Sequence, residues 1–103
     1  LGMNSDFKKA LGPVSIRGRV LNVEGKPIGK AEVTTQPETD VVVSNSRGFF
    51  VLRQHIDALG ETKPIAPGRY QVTIRKFGYE ELSFMVTVKP GKNRIKDLVM
   101  RRR

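Results

Sequence analysis

The 103-residue chain contains no cysteine and only one histidine, His55. Without cysteine it can form no disulfide, thiolate metal site or cysteine nucleophile, and the redox compartment is left open. His55 and Asp57 together supply two metal ligands, whereas a zinc site takes three or four from protein. The sequence also lacks an apolar run of roughly 18 residues, the length that indicates a membrane-spanning helix. We therefore expect no metal, no other cofactor and no membrane span.

Acidic residues are scarce: 10 Asp and Glu stand against 19 Lys and Arg, which gives a formal net charge of +9. Such an excess attracts polyanions, whether nucleic acid, anionic lipid, acidic polysaccharide or an acidic protein. It is equally typical of a solvated surface that keeps a small β protein soluble and protects its edge strands. Charge alone therefore restricts the class of partner without identifying one.

The length fits a single domain. Residues 1–13 show no sustained periodicity, and Gly12-Pro13 cannot continue a helix, so this segment is predicted to be a flexible tail or linker. It has no apolar centre of the kind found in signal peptides. If the protein is exported, we expect its targeting segment to lie outside this chain. The folded domain is predicted over residues 14–100, followed by a basic tail at 101–103.

From Val14 onward, apolar residues alternate with polar ones at the period of a β-strand. Turns rich in Gly, Pro and Asn separate seven such segments, which begin near residues 14, 31, 41, 49, 68, 82 and 94. Gly18 lies inside the first segment, and a glycine there indicates close approach of a ring or another backbone. The inward-facing residues of the two central strands are predicted to be Phe50, Leu52, Tyr70, Val72 and Ile74.

This pattern predicts an all-β fold, a seven-stranded antiparallel Greek-key β-sandwich of immunoglobulin-like or transthyretin-like type. The least regular segment is 53–60, where apolar residues recur at three-residue spacing before Gly60. That spacing allows at most one short helix in the connection. In the last strand, we expect Leu98 and Met100 to face inward.

Several short motifs, taken in order, resemble the carboxypeptidase regulatory-like domain family. The opening Ile16-Arg17-Gly18-Arg19-Val20, followed by the stretch from Glu24 to Val33, is similar to the start of that family. The later motifs that match are Gly48-Phe49-Phe50, Pro67-Gly68-Arg69-Tyr70 and Gly78-Tyr79. Two features depart from the family pattern: Asn45-Ser46-Arg47 replaces an acidic turn, and the connection from Leu52 to Pro67 is longer.

The resemblance implies a transthyretin-like sandwich that serves as a non-catalytic module of envelope or secreted proteins. One enzyme, the hydroxyisourate hydrolase, shares that fold, but it uses more than one histidine and a Tyr-Arg-Gly-Ser ending. This chain has His55 alone and ends in three arginines, so we predict no enzymatic activity and assign no catalytic or metal-binding residue. The expected location is periplasmic, secreted or on the cell surface.

The predicted function is a binding or structural module of a bacterial cell-envelope or secreted protein that recognises a protein or an anionic glycan. The alternative is a small basic nucleic-acid-binding β domain, for which aromatic residues should be interleaved with the charge. We expect a monomer or a weak homodimer. The candidate binding residues come from the long connection, a strand end and the terminus: Arg53, His55, Asp57, Arg75, Lys76 and Arg101.

Overall fold

A computed structural model describes residues 13–103, which contain strands and no helix. The predicted tail therefore lies almost entirely outside the described residues. The strands are β1 (Ser15–Asn22), β2 (Glu32–Gln36), β3 (Val42–Val43), β4 (Phe49–Leu52), β5 (Gln54–Ile56), β6 (Thr62–Pro64), β7 (Gly68–Arg75), β8 (Leu82–Val88), β9 (Lys92–Arg94) and β10 (Leu98–Met100).

Two sheets form the body of the domain, and the all-β sandwich prediction is confirmed. In the first sheet, β1 pairs antiparallel with β4 on one side and parallel with β9 and then β10 on the other. The second sheet has the order β3-β2-β7-β8 and is antiparallel throughout. The strand predicted over 94–100 is thus divided into β9 and β10. Its pairing with β1 is parallel, which departs from the antiparallel arrangement we expected.

The core lies between the two sheets and contains the residues predicted to face inward. Phe50, Leu52, Tyr70, Val72 and Ile74 are all buried, and Met100 is buried while Leu98 packs against the core. They belong to β4, β7 and β10, so one apolar cluster joins both sheets. The tyrosine keeps its polar atom satisfied, because its hydroxyl donates a 2.6 Å hydrogen bond to the Ala66 carbonyl. Burial of this alternating set is the main force that holds the sheets together.

The 53–60 segment contains no helix. It supplies β5 and most of the turn of a β-hairpin whose second strand is β6. Asp57 organises the turn, since its Oδ1 accepts hydrogen bonds from the backbone N–H groups of Leu59 and Glu61, both at 2.9 Å. Gly60 follows with a φ of +80°, a conformation that favours glycine. Ile56 and Leu59, whose spacing allowed a helix, are 61% and 82% exposed. Because no surface covers them, there was no apolar helical face to bury.

Candidate binding site

The turn between β7 and β8 presents a fully exposed aromatic side chain. Phe77 is 99% exposed, although it lies only three residues beyond Ile74, the last buried residue of β7. The backbone N–H of Tyr79 donates a 3.0 Å hydrogen bond to the Lys76 carbonyl, which closes the turn. Gly78 has a φ of +87°, so this position favours glycine. The local sequence therefore places the phenylalanine at the tip of a closed turn.

The last three residues of the chain support this turn from the side. The N–H of Glu80 donates to the Arg101 carbonyl at 2.8 Å, and the N–H of Arg103 donates to the Gly78 carbonyl at 3.1 Å. The guanidinium of Arg102 lies 5.4 Å from the centre of the Tyr79 ring, within the range of a cation–π contact. Residues 101–103, predicted to be a basic tail, thus run alongside the turn.

An open groove of about 450 Å³ lies beside the turn. Its charged residues carry both signs, and its lining is Lys30, Glu32, Arg75, Lys76, Phe77, Tyr79, Glu81 and Arg103. The β2–β7 pairing sets Glu32 directly opposite Arg75. Arg75 Nε donates a hydrogen bond to the Glu81 carboxylate, and this hydrogen bond, together with the negative charge, raises the pKa of Arg75. We call the groove formed by the eight lining residues the Phe77 groove.

The structure brings only some of the predicted site residues together. Arg75 and Lys76 line the Phe77 groove, and Arg101 lines a smaller recess next to it that also contains Glu81. Arg53 lies elsewhere, in a hollow on the side of β3 and β4 with Asp40 among its neighbours.

The β5–β6 hairpin carries His55 and Asp57 and leaves the first sheet at the end opposite the Phe77 groove. The end of β4, Leu52, pairs with Ile16 near the start of β1, whereas Met100 pairs with Asn22 at the end of β1. The six predicted residues are therefore distributed over more than one surface.

The Asp57 carboxylate is committed to its own hairpin. The hydrogen bond from the Glu61 N–H is the largest cause of the lowered pKa of Asp57, and partial desolvation opposes it. Lys63, the Leu59 N–H and nearby His55 lower the pKa further. Its Oδ2 lies 3.2 Å from Lys63 Nζ across the hairpin. These contacts hold the carboxylate ionised and directed at the turn, so its structural role is evident.

Sequence reasoning missed the residues that reach the Phe77 groove from distant parts of the chain. Glu32 reaches the groove through the pairing of β2 with β7, Lys30 lies two residues before it, and Arg103 arrives by the path of the terminus. No local sequence pattern indicates these positions. Phe77 was recognisable, because it is an aromatic residue at the point where the alternation of β7 stops.

The described part of the chain contains neither a membrane-spanning helix nor a cluster of metal-binding side chains. Within residues 13–103, no helix has the length and apolar character needed to cross a lipid bilayer. The same residues contain no group of three or more His, Cys, Asp or Glu side chains arranged to hold a metal ion.

The sequence profile of the carboxypeptidase regulatory-like domain family matches residues 15–101. Among curated protein sequences, none matches the chain.

Solved structures share the fold at low sequence identity. A chain of a type II cohesin–X-dockerin complex from Acetivibrio cellulolyticus superposes with a TM-score of 0.64 at 16% identity, covering 84% of this chain and 56% of that one. For 3-chlorocatechol 1,2-dioxygenase from Rhodococcus opacus 1CP the TM-score is 0.59 at 16% identity, with coverage of 89% and 61%. Catechol 1,2-dioxygenase from Pseudomonas arvilla C-1 gives 0.56 at 12% identity, with coverage of 88% and 53%. This chain thus spans little more than half of each, and the likeness concerns the fold alone.

Proposed function

The chain belongs to the carboxypeptidase regulatory-like domain family, and from this premise we propose that it is a non-catalytic, protein-binding module of a cell-envelope or secreted protein. Its partner docks at the Phe77 groove. The resemblance noted from the sequence implies modules of this kind, which accompany other envelope or secreted proteins. One solved structure with this fold is itself a chain of a protein complex, the cohesin–X-dockerin complex, which is consistent with an interaction role for such sandwiches.

The observation that carries the proposal is the near-complete exposure of Phe77 on a fixed turn. Aromatic residues are enriched among the few side chains that supply most of the energy of protein–protein binding. Here the Tyr79–Lys76 hydrogen bond and the strand-like contact with Arg103 hold the turn before any partner arrives. A partner that buries the ring therefore has little backbone ordering to impose, which lowers the entropic cost of association.

The charges around Phe77 favour a protein over a uniform polyanion. Glu32 and Glu81 lie among the groove's cations, so a nucleic acid or acidic glycan seated there would meet carboxylates of its own sign. A protein surface can offer charges of both signs around an apolar contact, which is the usual composition of an interface rim. The groove thus fits an apolar pocket on a partner, surrounded by polar and charged groups.

The proposal is tested by comparing three versions of the chain as bait: wild type, Phe77→Ala and Met85→Ala. Met85 is 51% exposed on β8, away from the groove, and provides a matched loss of exposed apolar surface. Both substitutions remove exposed atoms and should change stability by no more than about 0.5 kcal/mol. Each bait is incubated with envelope and cytosolic extracts, and the captured proteins are quantified by mass spectrometry.

We expect a protein from the envelope extract to be captured by wild type and by Met85→Ala. Capture by Phe77→Ala should fall by at least about tenfold, as for a binding hot spot. Equal capture by all three baits would contradict the proposed site. Recovery of nucleic acid instead, with affinity that falls steeply as salt rises, would favour the alternative of a nucleic-acid-binding domain.

A further inference from the structure

The outer face of the first sheet carries a second cluster of positive charge, separate from the Phe77 groove. Arg17 on β1 is paired directly with Arg94 on β9, and Arg19 is paired with Phe49 on β4. Since directly opposite residues of neighbouring strands project to the same side of a sheet, these four side chains share one surface. We call this surface, made of Arg17, Arg19, Phe49 and Arg94, the arginine face.

Contacts within the protein hold two of these guanidinium groups in place. The Arg19 guanidinium lies 4.7 Å from the centre of the Phe49 ring, and that of Arg94 lies 6.0 Å from the same centre. Arg19 Nε also donates a 2.9 Å hydrogen bond to the Arg47 carbonyl. An arginine stacked on a ring in this way keeps further N–H donors at its edge. The face therefore presents hydrogen-bond donors at defined positions.

Among residues 13–103, no carboxylate forms an ion pair with an arginine of this face. The ion pairs of these residues are Lys63 with Asp57 and Arg75 with Glu81, and neither includes a residue of the arginine face. Arg17 Nε is shielded from solvent and has no hydrogen-bond acceptor among residues 13–103. Like charges directly opposite each other on a sheet are unfavourable. A bound anionic group would reduce this repulsion and supply acceptors to the exposed side chain of Arg94.

The composition of the surface indicates which anion fits. Beyond Arg19 along β1, the same side of the sheet becomes apolar, because Leu21 is paired with Val99, which is 48% exposed. A ligand that covers both parts must combine acidic groups with apolar side chains. The Phe49 ring is already in contact with guanidinium groups, so it is poorly placed to stack a nucleic-acid base.

We propose that the arginine face binds an acidic segment of a partner polypeptide, whose carboxylates pair with the guanidinium groups while its apolar side chains lie on Leu21 and Val99. A carboxylate accepts two parallel N–H donors from one guanidinium, which makes arginine better suited than lysine to this contact. Phosphate and sulfate groups share that geometry, but Leu21 and Val99 are aliphatic and offer no aromatic ring for a base to stack on, and a sulfated glycan has no apolar side chain to place there. The site shares no residue with the Phe77 groove and does not depend on it.

The test measures binding of three fluorescently labelled probes by anisotropy at physiological salt. The probes are a ten-residue peptide of alternating glutamate and valine, a heparin oligosaccharide and a ten-nucleotide single-stranded DNA. The proteins are wild type, Arg19→Gln/Arg94→Gln, and the control Arg69→Gln/Lys89→Gln. The control removes two exposed charges from the β7–β8 side of the sandwich, so its net charge matches that of the test variant.

We expect the peptide to bind wild type and the control within about twofold of each other, and the test variant at least about tenfold more weakly, as for lost hydrogen bonds to charged groups. Amide shifts of Val99 on peptide addition should accompany this binding. Tighter binding of heparin or DNA than of the peptide, equal losses in both double variants, or no peptide binding would each overturn the proposal. Thermal unfolding verifies that each variant folds. If Arg19→Gln/Arg94→Gln does not fold, the single variant Arg94→Gln, at an exposed position, replaces it. Phe77→Ala should bind the peptide as wild type does, so the two sites can fail separately.

Discussion

Replacing Gly18 with alanine tests the packing between the strands that organise the fold. A Cβ atom at this position would lie 2.6 Å from Phe50 Cζ, 2.8 Å from Phe50 Cε2 and 3.0 Å from Ile95 Cγ1. Favourable carbon–carbon contacts lie near 3.5–4.0 Å, roughly an ångström farther away. The Phe50 ring is 3% exposed and has little room to withdraw. The new methyl group therefore has to displace the ring or separate β1 from β4.

The size of the effect follows from two opposing terms. Adding a methyl group to a well-packed core typically costs about 1–3 kcal/mol. Alanine also reduces the conformational freedom of the unfolded chain, which returns about 0.4–1 kcal/mol. Gly18 does not have a left-handed backbone, so no strain is added. The net loss should be about 1–2 kcal/mol, which lowers the melting temperature of a domain of this size by roughly 5–15 °C.

The assay is urea unfolding followed by circular dichroism, applied to Gly18→Ala, Phe50→Leu and the double variant. Leucine removes the distal ring atoms that the methyl group would meet, so the double variant should be more stable than the sum of the two single losses predicts. We expect a coupling of at least about 0.5 kcal/mol between the two positions. A Gly18→Ala protein as stable as wild type, or strictly additive losses, would refute the argument.

Two further predictions concern polar groups. Ser44 is 1% exposed; its hydroxyl accepts a 2.9 Å hydrogen bond from the Ala31 N–H and donates a 2.7 Å hydrogen bond to the Ile28 carbonyl. Because Ser44→Ala leaves both buried backbone groups without this partner, it should lower the free energy of unfolding, measured in urea, by about 2–4 kcal/mol. A loss below about 0.5 kcal/mol would contradict this prediction. The pKa of Asp57 is lowered in the fold, so its contribution to hairpin stability is present above the unfolded pKa and is lost as pH falls through the folded value. The Leu59 amide, which also donates to Asp57 Oδ1 and has no titratable side chain of its own, should therefore shift in NMR spectra below pH about 4, whereas in Asp57→Asn this shift should be largely lost.

The β-sandwich and most of its core could be predicted from the order of the residues. Period-two alternation is a direct consequence of strand geometry, so Phe50, Leu52, Tyr70 and Val72 could be assigned inward from their spacing alone. Gly18 also revealed its role, because a glycine within a strand indicates a close neighbour, and Phe50 is that neighbour. Local patterns contain this information because each depends on residues only a few positions apart.

The contacts between residues far apart in the chain became known only from the folded structure. The helical spacing in 53–60 was misleading, because the same residues form a hairpin once Asp57 binds the turn amides. Both proposed surfaces depend on pairing between strands far apart in the chain. Glu32 lies opposite Arg75 because β2 pairs with β7, and Arg94 lies opposite Arg17 because β9 pairs in parallel with β1. Such pairings follow from the register and order of strands. Those are set by how the whole core packs, and no short stretch of sequence contains them.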